Sequence, residues 1–145
     1  MSLVSPALAA YVVASSVLAA NQLTLWMLSS RARHQSHTTH NPEDVPLMAN
    51  ASLSPADPPE VARVLRAHAN GQAIIVPFWV LGAVFVAVGG GALEAQIVFG
   101  VFTAARVLYS VAYLAGKQPH RTILFGVSLL VDAILIVENV RTLWA

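Results

Sequence analysis

Apolar residues fall along this chain in four long blocks separated by polar material. The first, "SPALAAYVVASSVLAANQLTLWMLSS" (residues 5–30), contains no charged side chain. A bilayer span needs about 20 such residues, so the block predicts a transmembrane helix at about 5–29. It lacks the basic start and short apolar core of a signal peptide. Residues 31–58 are polar and rich in Pro, Ser, His and Asn, which predicts a loop, long enough to be functional. Pro58 and Pro59 open a second apolar helix at about 59–88, closed by Gly89, Gly90 and Gly91. A third runs over about 93–116 and a fourth over about 121–143, joined by the tight "GKQPH" turn.

Polar residues inside these blocks follow helical periodicity. Arg63, Arg66 and Asn70 stand at i, i+3 and i+7 and share one face of the second helix, while His68 points elsewhere. Snorkelling to lipid phosphate accounts for a lone arginine at a helix edge. It does not account for Asn70, two turns deeper, which needs a neighbouring helix or a ligand. On the third helix Arg106, Tyr109, Tyr113 and Lys117 form a second stripe, predicting a polar cleft between helices. Arg106 precedes Lys117 by as many residues as Asp132 follows Arg121, so the two reach similar depth in antiparallel helices. An Arg106–Asp132 pair or shared network is expected, because an ionisable residue in a span needs a partner.

Composition agrees. The 145 residues suit one domain. The chain is 57% hydrophobic and 10% charged, against roughly 25% charged in soluble domains. The fold class expected is all-α, an integral membrane four-helix bundle in the lipid bilayer. A formal net charge of +1 gives no pull toward nucleic acid. The absence of cysteine removes disulfides, thiolate metal sites and a cysteine nucleophile, so any thiol chemistry uses a thiol brought by a ligand. Arg31, Arg33, Lys117 and Arg121 flank the first and third loops, which places both loops in the cytoplasm and the termini opposite. With them cytoplasmic, the Asn50 sequon "NAS" reads as chance. His34, His37 and His40 lie in Ser/Thr-rich loop with no completing ligand, so no metal site is expected. The "GGG" run has no following Lys and is no phosphate loop. No Ser–His–Asp arrangement can be assembled.

Three ordered motifs carry a family resemblance. "RVLRAHANGQAIIVPF" supplies Arg63, Arg66, Ala67, His68, Asn70, Pro77 and Phe78 in register with a second-helix signature; "NPED" (Asn41 to Asp44) matches a first-loop motif; "ARVLYSVAYLAGKQPHRT" matches a third helix and turn. On these the chain resembles the MAPEG family, membrane-associated proteins in eicosanoid and glutathione metabolism. The likeness is to its branch of microsomal glutathione transferases and prostaglandin E synthases. The resemblance implies a homotrimer that binds glutathione between protomers near the cytoplasmic side. It implies that Arg121 and Thr122 stand at the sulfur as catalytic residues. It implies that Arg33 (or Arg31), Arg63, Arg66, Asn70, Arg106, Tyr109 and Tyr113 contribute to binding.

The departures from the pattern are specific. The signature Glu is Ala73, a further arginine of the prostaglandin synthases is Ala69, their third-helix histidine is Tyr109, their fourth-helix tyrosine is Phe125, and their serine is Thr122. They argue against prostaglandin synthesis, and Asp132 is a candidate replacement for the Glu. The implied function is a glutathione-dependent transferase or peroxidase acting on lipophilic electrophiles or lipid hydroperoxides. The alternative is a non-catalytic trimeric binding or scaffold protein of the same family. A small transporter is a weaker reading, since no polar stripe runs the full bilayer. The Ala- and Val-rich composition leans toward a bacterial inner membrane with the site facing the cytoplasm.

Overall fold

The computed structural model describes residues 4–144. Four helices run up and down: α1 (Pro6–Ser36), α2 (Pro59–Ala87), α3 (Ala92–Leu114) and α4 (His120–Arg141). All four are long and apolar enough to cross a membrane. α1 packs on α2 and α3, and α4 packs on α3 and α2, so α1 and α4 occupy opposite corners.

Ser5 starts α1 by accepting the Leu8 N–H at 3.1 Å, with Pro6 in the first turn where no N–H is needed. The helix outlasts its apolar block. The expected end at residue 29 is where the lipid-compatible sequence stops; the backbone stays helical through Ser36 and ends at His37 in the left-handed region. Arg31 and Arg33 therefore sit on the last turns of α1 and not in a loop. A helix needs hydrogen bonds and permissive residues, not apolar ones, and Arg, Ala and Gln all propagate it well.

The segment 37–58 is also more ordered than a loop. Two-residue strands β1 (Thr38–Thr39) and β2 (Ser52–Leu53) pair in parallel around a 3-10 turn, Pro42–Leu47. The all-α expectation thus holds for the spans and misses this small ladder, which is too short for a period-two pattern to register.

The bundle centre is aromatic. The Phe78 and Phe102 rings stack at 4.0 Å, and Phe99 meets Phe78 edge-on at 5.5 Å and Phe85 at 5.8 Å. All four are buried, whereas Val13, Met27, Val80, Ile97, Val111 and Leu130 point outward. Since lipid is as apolar as leucine, close packing and interhelical hydrogen bonds must hold the helices together. Tyr11 donates to the Trp79 carbonyl at 2.8 Å, Asn21 to Ser110 at 3.0 Å, and Asn139 to the Leu81 carbonyl at 2.9 Å. These bonds cross α1–α2, α1–α3 and α4–α2.

Gly82 makes the first crossing possible. A Cβ there would lie 2.9 Å from Tyr11 Cε2, on a ring already tied by its hydroxyl and packed edge-on to Phe99. Gly82→Val is therefore expected to push α1 off α2 and destabilise the bundle by about 1–3 kcal/mol. Thermal unfolding in detergent measures this, and an unchanged melting midpoint would show that α1 is not held here.

Candidate functional site

The site lies at the end of the bundle shared by the 37–58 segment and the α3–α4 turn. Four features of the sequence build it. α2 begins at Pro59 and puts Arg63 and Arg66 in its first two turns, both exposed, with Asn70 half-buried below them. The Arg106 stripe on α3 descends from surface to core, with Tyr113 half-buried, Tyr109 buried and Arg106 wholly buried; Lys117, expected on the same stripe, lies past the end of the helix in the exposed turn. Gly116, at φ 67°, turns the chain out of α3, and a Cβ on it would come 3.1 Å from Arg63 Nη1. The backbone conformation calls for glycine there, and the absent side chain leaves room for the arginine that lies against it. Finally, α4 starts at His120, which sets Arg121 and Thr122 in its first turn, at the positive end of the helix dipole.

These parts enclose two adjoining hollows. One, of about 360 Å³, is lined by Arg63, Arg66, Tyr113, Gly116 and Arg121. The other, of about 190 Å³, is lined by Asn70, Tyr109, Arg121, Thr122 and Phe125. Arg121 belongs to both. Its guanidinium carbon sits 4.4 Å from the centre of the Tyr113 ring, and that of Arg106 sits 4.4 Å from the Tyr109 ring. The two tyrosines are themselves 5.6 Å apart. Cation–π contacts of this kind fix a guanidinium plane without consuming its N–H donors. Among the described residues three ion pairs occur, and none involves Arg63, Arg66, Arg106 or Arg121. The hollow is therefore a concentration of positive charge lined with aromatic faces and suited to an anion.

Most of the sequence-derived residues meet here. Arg63, Arg66, Tyr113 and Arg121 share one hollow, and Asn70, Tyr109, Arg121 and Thr122 the other. Arg106 stands behind both, donating from Nη2 to Asn70 Oδ1 at 3.1 Å. The expected Arg106–Asp132 ion pair is not formed. Both side chains are buried on the packed helices α3 and α4, but no salt bridge joins them. Equal depth put them at one level without turning them onto each other. His68 does point elsewhere, against the Trp26 ring on α1 at 5.3 Å. Thr122 Oγ1 donates to Gln118 Oε1 at 3.1 Å, so its hydroxyl is engaged within the turn. Gly116 and Phe125 line the hollows but were not singled out as site residues. Phe125 lies four residues after Arg121, one helical turn, which would have found it.

Arg33 stands apart. It binds Asp57 Oδ1 through Nε at 3.2 Å and Nη2 at 3.1 Å, and lines a separate hollow with His40, Asn41 and Asp44. His40 joins the same carboxylate through Nε2 at 2.9 Å and reaches the Ser54 carbonyl through Nδ1 at 2.6 Å. His37 Nδ1 lies 3.1 Å from the Ala49 carbonyl. Within one protomer these groups clasp the 37–58 segment to the end of α1.

A four-span bundle carrying this cationic, tyrosine-lined hollow at one end defines a class of membrane protein, and the chain belongs to the MAPEG family, whose profile matches residues 9–141. Among individual proteins it is similar to prostaglandin E synthase from Homo sapiens, 33% identical over 122 residues that cover 83% of this chain and 80% of that one. The same protein from Macaca fascicularis is 32% identical over 126 residues, covering 86% and 82%. Microsomal glutathione S-transferase 1 from Rattus norvegicus is 39% identical over 69 residues, covering 47% of this chain and 44% of that one. The protein is thus an integral, multi-pass membrane protein of this family.

Asp57 gives the clasp a pH dependence. Burial works to raise its carboxyl pKa, but the hydrogen bonds from His40 and Arg33 outweigh it and hold the group below the ordinary aspartate value. A pKa depressed on folding contributes stability that is complete above the unfolded value and is lost as pH falls through the folded one. The clasp is therefore expected to hold at neutral pH and to open only in acid below the ordinary carboxylate range. Asp57→Asn should open it at neutral pH, read as faster limited proteolysis between residues 37 and 57 with the helical circular dichroism unchanged.

Proposed function

We propose that this protein is a membrane-embedded enzyme that binds glutathione in the Arg121 hollows and activates its thiol against lipophilic electrophiles or lipid hydroperoxides. The observation that carries this reading is Arg121: stacked on Tyr113, shared by both hollows, and paired with no carboxylate among the described residues. When bound, glutathione supplies a nucleophilic thiol together with two carboxylates and an ammonium.

The residues present fit such a molecule. A cysteine-type thiol ionises near ~8.5, and a guanidinium beside it favours the anion and lowers that value. The first turn of α4 adds its positive dipole end to the same effect. Thr122, by exchanging its Gln118 contact, donates a hydrogen bond to the sulfur. Arg63 and Arg66 offer guanidinium forks of the shape that carboxylates accept. Tyr109, Tyr113 and Phe125 line the hollows with aromatic faces, suited to a lipophilic second substrate that arrives dissolved in the bilayer. The relatives' names, a glutathione transferase and prostaglandin E synthases, support chemistry of this kind.

The outward stripe of α2 supports assembly. Asn70 is part-exposed beside the hollow it lines, and a second copy packed on this face is proposed to close that hollow off from lipid. The proposed unit is the homotrimer that the family resemblance implies, with glutathione held between protomers. The basic residues flanking these turns support a site at the cytoplasmic side, and the membrane is proposed to be a bacterial inner membrane. Ala73, in place of the family's carboxylate, favours a second reading, a non-catalytic scaffold that no longer binds the tripeptide.

Glutathione titration of the detergent-purified protein separates the two. The enzyme reading expects saturable binding and ultraviolet thiolate absorbance at a pH where free glutathione is still protonated. Arg121→Gln should remove that absorbance and slow conjugation of a lipophilic electrophile by about 100-fold. Wild-type protein that fails to bind at millimolar glutathione belongs to the scaffold reading.

A further inference from the structure

Arg106 and Asp132 are the two most deeply placed charges in the bundle, and neither is satisfied by the contacts described so far. Arg106 is fully buried, with Nη2 on Asn70 but no protein partner for Nε or Nη1. Asp132 is only 7% exposed, and its Oδ1 has no protein partner either. They stand on packed neighbours, α3 and α4, and no salt bridge joins them. Other titratable groups near the pair are Tyr109 and, through Tyr109, Tyr113 and Arg121; none of them supplies a negative charge. Among the described residues Asp132 is the only buried carboxylate.

The contact with Asn70 has a directional consequence. A guanidinium only donates, so Asn70 must turn its amide oxygen toward Arg106. That fixes the otherwise ambiguous amide and leaves its NH2 for the hollow that Asn70 lines with Arg121 and Thr122. Arg106 also holds the Tyr109 ring, which lines the same hollow. A residue that never reaches the hollow therefore orients two that do.

We propose that Asp132 is the counter-charge of Arg106 across a water-bridged gap, and that it acts as a positioning residue for the glutathione site. The water donates to Asp132 Oδ1 and accepts from Arg106, which answers the unpaired atoms on both sides. With its charge balanced from within, Arg106 stays on Tyr109 and keeps the Asn70 amide turned as a donor toward the ligand. With Asp132 neutral, an anionic ligand draws the guanidinium toward the hollow and the Asn70 amide is free to flip. This inference rests on the glutathione reading for the identity of the ligand, but its charge-balance element does not.

The test is a double-mutant cycle read in two ways on the purified full-length protein. In the first, melting midpoints are compared for wild type, Arg106→Met, Asp132→Leu and the double variant. Each single change strands a buried charge and lowers the midpoint, while the double variant recovers most of the loss. Additive losses overturn the proposal. In the second, glutathione affinity is measured for Asp132→Asn, Asp132→Glu and Asn70→Ala. Asp132→Asn is expected to weaken binding by about ten-fold, Asp132→Glu to restore it, and Asp132→Asn to add nothing once Asn70 is alanine. Coupled melting with unaltered affinity for Asp132→Asn reduces Asp132 to a structural partner and overturns the positioning role. If wild-type protein binds no glutathione, it is the enzyme reading that fails, and the melting cycle alone decides whether Asp132 balances Arg106.

Discussion

A guanidinium buried between apolar helices is the constraint around which the rest of this bundle is organised. Arg106 cannot give up its proton under any ordinary condition, so its charge has to be met in place. The structure meets part of it with an amide oxygen from α2 and an aromatic face from its own helix, and the proposed counter-charge, Asp132, stands buried on the packed neighbour α4. Each contribution comes from a different helix or turn. The arrangement of α2, α3 and α4 around one point follows from that need as much as from aromatic packing higher in the bundle. Removing a neighbour leaves an uncompensated charge, which is costlier than the loss of any single hydrogen bond.

The same physics runs in the opposite direction at the rim. Arg63, Arg66 and Arg121 have no carboxylate partner among the described residues, and they are more accessible than Arg106. Water and headgroups make their charge tolerable without a protein anion, so they keep a positive field available for a ligand. The molecule therefore separates two uses of arginine by depth: a compensated one that orients, and uncompensated ones that attract. The tyrosines connect them, since Tyr109 carries Arg106 on its face and Tyr113 carries Arg121, with the two rings in contact.

Much of this was legible in the sequence, because helical periodicity in a membrane span is a strong signal. The stripes Arg63–Arg66–Asn70 and Arg106–Tyr109–Tyr113 lie where an angle of 100° per residue puts them, and the four spans fall within a few residues of their apolar blocks, α1 excepted. What the pattern could not supply was contact. Matching depth brought Arg106 and Asp132 to one level, but rotation about each helix axis decided that Arg106 would bond Asn70 instead. The departure of Arg33 has a similar origin. Its sequence neighbourhood reads as a loop near the site, whereas its partner Asp57 lies 24 residues away and is brought to it by a two-residue β pairing that leaves almost no trace in composition. Hydropathy likewise ended α1 at the edge of the apolar block, where the membrane stops and the helix does not.

The family resemblance expects a carboxylate at position 73 of α2, where this chain has Ala73, while its one buried carboxylate among the described residues, Asp132, stands on α4. Below Asn70 the outward stripe of α2 continues as Ala73, Pro77, Val80 and Val84, all exposed and all apolar. Polarity on that face stops at Asn70. A carboxylate at position 73 would stand on this exposed stripe, where lipid cannot solvate it before another copy covers it. Asp132 instead approaches Arg106 from inside the protomer, on a helix that is already packed against α3. If Asp132 is the counter-charge proposed above, the deepest cation is balanced within a single chain and needs no neighbouring copy for it. Only the stripe of Arg63 and Arg66 at the rim, with Asn70 two turns below them, is left part-exposed on α2, which confines the polar demand on any neighbouring copy to the neighbourhood of the hollow that Arg121 shares.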